Sequence, residues 1–187
     1  MRLFNAVTSL RDHLILMLGV FAAPRASEAF GLQRDCFKGD YIEIKNTAWE
    51  GNLYRGQVKN DSRFRRVGLG PRTRRILEEY LAETPDAPSN SLLFPGRGGS
   101  PLWPGTWLQN RIQPIAKSLG ITAPVTFQVL RRTCVTRNQK HGSLKDIQAH
   151  AGHASIATTR NIYMQEIPES VMEMIRLDKM DVLGAVQ

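Results

Sequence analysis

Two phrases in this sequence carry residue types suited to chemistry on a phosphate. One is Val129-Leu130-Arg131-Arg132-Thr133. The other starts at Ala151-Gly152-His153-Ala154-Ser155 and runs through Thr158-Thr159 to Tyr163. An arginine suits a phosphate because its planar, permanently charged fork holds two oxygens at once. A tyrosine just beyond a Gly-His turn suits a nucleophile that attacks phosphorus. Breaking a phosphodiester needs that nucleophile, positive charge on the non-bridging oxygens, and a proton for the departing oxygen. Arg25 and Lys59 complete such a set. Two arginines from distant segments can clamp a phosphate from two sides, and a lysine among other cations can give up a proton.

Each residue also has a plain structural reading. Arg25 follows a helix and suits a surface, Lys59 lies in a basic stretch, and one of Arg131 and Arg132 faces solvent. His150 and His153 form His-x-x-His, but no third and fourth ligand stands at metal-site spacing. Trp49, Trp103 and Trp107 read as core or loop anchors. Gly96-Arg97-Gly98-Gly99 lacks the Gly-Lys-Ser/Thr ending of a phosphate loop and reads as a turn.

The chain has 187 residues, enough for one domain with a sizeable core. Lysine and arginine number 25 against 17 acidic residues, for a formal charge of +8, which points to a polyanionic partner, nucleic acid before membrane. Cys36 and Cys134 are far apart and read as reduced, buried thiols of a cytoplasmic protein. The apolar run from Leu14 to Ala23 is too short to span a bilayer and reads as a buried helix.

The elements that must position the site follow from periodicity. Leu3 to Ala22 reads as one helix, ended by Pro24, and Ala26 to Leu32 as a short second one. Tyr41 to Leu69 alternates and reads as a small antiparallel sheet, with turns near Gly51-Asn52 and Asn60-Asp61. Pro71 opens another helix. Further helices are expected over Thr106 to Leu119, Thr126 to His141, Leu144 to Ala149, Ser155 to Tyr163, and Pro168 to about Met180, with Ser143 and Ser155 as N-caps. The expected class is mainly α with a small antiparallel sheet (α+β).

Four phrases in this order resemble the tyrosine recombinases, the phage integrase family. Pro24-Arg25-Ala26-Ser27-Glu28-Ala29-Phe30-Gly31-Leu32 resembles the first-arginine box. Lys59 with Ser62-Arg63-Phe64-Arg65-Arg66-Val67-Gly68-Leu69 resembles the sheet lysine and its trailing basic strand. Leu130-Arg131-Arg132-Thr133 resembles the second-arginine box, and Gly152-His153 through Tyr163 the terminal box. The resemblance implies the recombinase catalytic-domain fold over residues 1–187, acting on double-stranded DNA. Tyr163 would form a 3′-phosphotyrosyl bond, Arg25 and Arg131 would clamp the phosphate, Lys59 would protonate the 5′-oxygen, and His153 would bond a non-bridging oxygen. It implies no metal, no ATP and no other cofactor. The type IB topoisomerases share this chemistry, but the integrase-like boxes and the small size favour the recombinases.

Two positions depart from the family pattern. Gln128 stands where the family carries a histidine, three residues before Arg131. Glutamine can hold a phosphate oxygen but cannot carry a proton near neutral pH. The reading therefore has a second branch, a DNA-binding remnant that has lost turnover. The first-arginine box begins near the start of the chain, so the family's N-terminal helical domain is expected to be absent, through excision or truncation. All six site residues, Arg25, Lys59, Gln128, Arg131, His153 and Tyr163, are expected to converge on one basic concave face. After Tyr163, the stripe of Val171, Met174, Ile175 and Leu177 predicts a terminal helix; docking within its own chain or disorder past Asp178 is expected, in a monomer, with self-association by exchange in a dimer as the alternative.

Overall fold

The computed structural model of the chain describes residues 2–56, 64–138 and 143–152. The first helical stretch is two helices, not one: α1 spans Arg2–Ala6 and α2 spans Leu10–Phe21. Ser9 starts the second by accepting the Asp12 amide on its side chain, a cap that the apolar periodicity conceals. Leu14, Ile15, Leu16 and Leu18 are fully buried, so α2 is enclosed nearly all round and forms the axis of the core. The short helix α3, Ala26–Phe30, follows the turn through Ala23 and Pro24.

Four strands come next: β1 (Tyr41–Ile44), β2 (Asn46–Trp49), β3 (Asn52–Arg55) and β4 (Arg65–Gly68). Among the described residues they make two separate two-stranded antiparallel ladders, β1 with β4 and β2 with β3, where the alternation suggested one sheet. The chain changes partner at Lys45, whose ammonium is 3.0 Å from Asp35. The β2–β3 turn sits at Glu50 and Gly51, both at positive φ, the backbone twist that a two-residue hairpin requires. The second expected turn, at Asn60-Asp61, lies outside the described residues.

Helix α4 spans Pro71–Ala82 with its proline in the first turn, as expected. The stretch expected as one helix from Thr106 is α5 (Pro104–Trp107), a π-helical turn (Leu108–Ile112) and α6 (Gln113–Ser118). Pro114 has no amide proton for the regular ladder, and the wider turn falls immediately before it. Helix α7 spans Phe127–Asn138 and α8 spans Leu144–Ala151, capped by Ser143. The helices expected over residues 155–163 and 168–180 lie outside the described residues.

Packing around α2 sets the geometry of the site. Helices α7 and α4 both lie against it. Gly19 lets α7 come close: a Cβ there would stand 2.8 Å from the Cδ1 of Leu130, the neighbour of Arg131. Phe30 packs edge-on to Phe94, Trp107 and Phe127, with ring centroids 5.3 to 6.5 Å apart. Trp107 also donates its indole N–H to the buried Asp12 carboxylate at 3.0 Å, and Arg111 donates to the other oxygen at 2.9 Å. Of the three tryptophans only Trp107 is core; Trp49 and Trp103 pair on the surface, 5.9 Å apart.

Candidate phosphate-binding site

Three guanidinium groups and one carboxylate meet beside the carboxyl end of α8. Arg25 lies between α2 and α3 and caps α3. Its backbone N–H donates to Glu28 Oε2 at 2.8 Å and its Nη1 to Glu28 Oε1 at 2.7 Å. Arg65, on β4, grips the same carboxylate from the other side, at 3.2 and 2.9 Å. Arg131 projects from the buried face of α7 and donates to the carbonyl of Ala23, just ahead of Arg25.

The end of α8 holds all three arginines. Arg65 Nε donates to the carbonyl of His150 at 3.2 Å, Arg131 to that of Ala151, and Arg25 Nη2 to that of Gly152 at 2.6 Å. These carbonyls close the helix, where the backbone dipole is negative and groups lack intrahelical donors. The turn depends on Gly152. Its φ is +65°, and a Cβ there would stand 2.7 Å from Arg65 Nη1.

Burial and hydrogen bonding set the arginines apart. The Arg65 side chain is 8% exposed and its Nε, Nη1 and Nη2 are taken up by Glu28 and α8. Arg25 is 39% exposed along its side chain and presents an open edge. Arg131, at 9%, is about as buried as Arg65 and is fixed by two carbonyls. Its burial, then the charge of Arg25, bring its pKa down to about 10, still protonated at neutral pH. Burial would raise the pKa of Glu28, but the hydrogen bonds and charge of Arg65, joined by Arg25, outweigh it and hold the group down at about 2. Three cations against one anion leave these four side chains two positive charges in excess.

Of the six expected site residues, the structure brings Arg25 and Arg131 together, on consecutive carbonyls of α8. Gln128 sits exposed in the first turn of α7, one turn ahead of Arg131, where Thr126 caps the helix by accepting the Val129 amide at 3.2 Å. Lys59, His153 and Tyr163 lie outside the described residues. His150 of the His-x-x-His phrase turns inward, its Nε2 3.2 Å from the carbonyl of Phe21. Both cysteines are free and buried, and burial drives the Cys134 thiol up to about 12.

Arg65 was legible only as part of a basic strand. A signal did exist: on a strand it shares a face with Val67, and that face is buried. An arginine pointing inward needs a carboxylate, and Glu28 was already marked in the first-arginine phrase. The three carbonyls left no trace in the sequence, because every residue has one.

No helix among the described residues is long and apolar enough to cross a membrane. The chain is 30% identical over 152 residues to the tyrosine recombinase XerC of Brucella melitensis biotype 1, covering 80% of this chain and 45% of that protein. It is 31% identical over 153 residues to XerC of Methylobacterium nodulans, covering 80% and 44%. The chain thus spans about half the length of the curated relatives it matches. The fold is shared with the crystal structure of XerA recombinase, at a TM-score of 0.72 and 24% identity over 95% of this chain and 60% of that one. It is also shared with XerH site-specific recombinase bound to palindromic difH substrate, at 0.64 and 25% over 87% and 46%. The family model described as the phage integrase family matches residues 1–169, and the chain belongs to that family.

Proposed function

We propose that this chain binds double-stranded DNA and cuts and rejoins one strand at a time through a covalent bond to Tyr163. The observation that carries the reading is the paired placement of Arg25 and Arg131 in a cluster with two positive charges in excess. A phosphodiester brings one negative charge, and its pentavalent transition state bears two. The cluster is therefore best matched to the transition state, which is where complementary charge accelerates a reaction.

The steps balance with water exchanging protons at the tyrosine. The Tyr163 hydroxyl gives its proton to water as its oxygen attacks phosphorus and forms the phosphotyrosyl bond at the 3′ side. The bond to the 5′-oxygen breaks, and Lys59 supplies its proton. In the reverse attack the 5′-hydroxyl returns a proton to Lys59, the strand is rejoined, and the departing tyrosine oxygen takes a proton from water. Arg25 approaches the phosphate through its exposed edge while Arg131 stays fixed, and His153 bonds a non-bridging oxygen. Gln128, at the open start of α7, offers an amide donor to the phosphate but no proton. Sequence similarity to XerC and shared fold with recombinases solved on DNA support the reading. We further propose that the protein works in the cytoplasm, and that residues after Tyr163 form a helix able to mediate self-association.

Binding to a short duplex tests the reading. Contacts to the backbone dominate, so affinity is expected to fall by orders of magnitude between about 50 and 200 mM salt, with little sequence preference. Arg25→Ala should weaken binding on every sequence alike and flatten the salt dependence. Binding that ignores both salt and Arg25 would contradict the proposal.

A further inference from the structure

Helices α2, α7 and α8 meet at one point behind the arginine cluster, and His150 closes that point. Its Nε2 lies 3.2 Å from the carbonyl oxygen of Phe21 and 3.7 Å from Cys134 Sγ. A carbonyl only accepts, so Nε2 carries the proton and donates it. Cys134 Sγ donates to the same carbonyl at 3.4 Å, and Asn138 Nδ2 donates to that sulfur at 3.4 Å. Each partner sits next to part of the clamp. Phe21 ends α2, four residues before Arg25; Cys134 is one turn after Arg131; His150 leads into the two carbonyls that hold Arg131 and Arg25.

We infer that His150 is a positioning residue for the arginines: in its neutral form it holds the carboxyl end of α8 on the cluster, and protonation releases that end. The inference rests on the reading of the cluster as a phosphate clamp. Among the described residues, the charged and titratable groups facing His150 are cations or inert. From α7 come Arg131 and the Cys134 thiol, with Arg137 4.6 Å over the ring of Phe21; from β4 comes Arg65; α2 offers only the Phe21 carbonyl. On α8 itself Lys145 and Asp146 are exposed. Among the described residues Glu28 is the one carboxylate in the cluster, and Arg65 and Arg25 already share it. A further cation there would find no free anion among them.

Burial pushes the His150 imidazole below its ordinary 6.5; the Phe21 carbonyl opposes this, and the charges of Arg65 and Arg131 add to it. The closed form therefore binds fewer protons than an opened one as pH falls through about 6.5, and acid favours opening.

The test follows the Nε–H resonance of Arg65 and the Nη–H resonances of Arg131 by NMR in the full chain, alongside the imidazole signal of His150, from about pH 8 to about pH 5. In the wild type the arginine signals should be lost in step with His150 titration. In His150→Gln they should persist to the acid end, because the amide keeps a donor for Phe21 but takes up no proton. His150→Leu, which has no donor, should weaken them at every pH. Wild-type signals that survive imidazole titration overturn the inference, and so does equal loss in wild type and His150→Gln. The wild type alone decides if the variants do not fold.

A second arm measures covalent adduct on a nicked duplex across the same range. The wild type should lose at least about tenfold towards acid, a single group's effect over one pH unit, and His150→Gln should lack that limb. No wild-type adduct at any pH, with the NMR result as expected, would sink the reading of the clamp and leave the positioning role standing. The same acid limb in both proteins would do the reverse.

Discussion

Arg131 is held by two backbone carbonyls, so in the proposed reaction its guanidinium would need no reorganisation to meet a phosphate. A lysine ammonium cannot span two carbonyls and a phosphate, because it lacks the planar fork. Arg131→Lys should therefore slow single-turnover adduct formation by about 10²- to 10³-fold, the scale of a lost transition-state donor. Recovery of wild-type rates by lysine would show that charge alone matters there. Glu28 carries a different burden, since it pairs with both the buried Arg65 and the part-exposed Arg25. Its pKa of about 2 lies below the ordinary 4.5, so its stabilisation is complete above about pH 4.5 and is lost as pH falls towards 2. Glu28→Gln should cost on the order of 3 kcal/mol at neutral pH, as for breaking a buried ion pair, and should remove that acid step from thermal midpoints measured against pH. An unchanged step would assign it to another carboxylate. At this scale the sequence singled out Arg25, Arg131 and Glu28, which the structure brings together, because their phrases are distinctive. It left Arg65 half-seen, since a basic strand does not announce which arginine points inward.

Among the elements, the contact between α2 and α7 is the one that places the two arginine phrases side by side. Gly19 permits it, with Leu130 filling the space a side chain would need. Gly19→Ala should cost about 1–3 kcal/mol by overpacking. Leu130→Val should cost less in that background than in the wild type, because the shorter side chain relieves the clash. Urea midpoints of the four proteins measure the coupling; additive costs would show that α7 is not seated by this contact. The element boundaries also show where periodicity carries and where it fails. Helix α4 was legible from its leading proline, and α8 from Ser143. The break between α1 and α2 was not, because apolar residues continue across it at helical spacing and only the Ser9 cap interrupts them. The two ladders were read as one sheet because alternation fixes the face of a residue and not its partner strand.

The molecule as a whole gathers positive charge on a scaffold whose buried axis, α2, runs straight into the first arginine phrase. Its surplus of basic residues pointed to a polyanion, and the cluster gives that charge an address. The class, mainly α with small antiparallel ladders, was legible because long amphipathic stretches and a short alternating tract differ in period. The meeting of Arg25 with Arg131, more than a hundred positions apart, was legible only through the resemblance. The claim that this scaffold performs covalent strand transfer meets its most direct test in one experiment. The full chain and its Tyr163→Phe variant are incubated with a nicked duplex that traps cleaved DNA, and attachment to the labelled strand is read on a denaturing gel. The account predicts a protein–DNA adduct at the 3′ end with the wild type and none with Tyr163→Phe. An adduct formed equally by Tyr163→Phe, or none formed by the wild type, would contradict it.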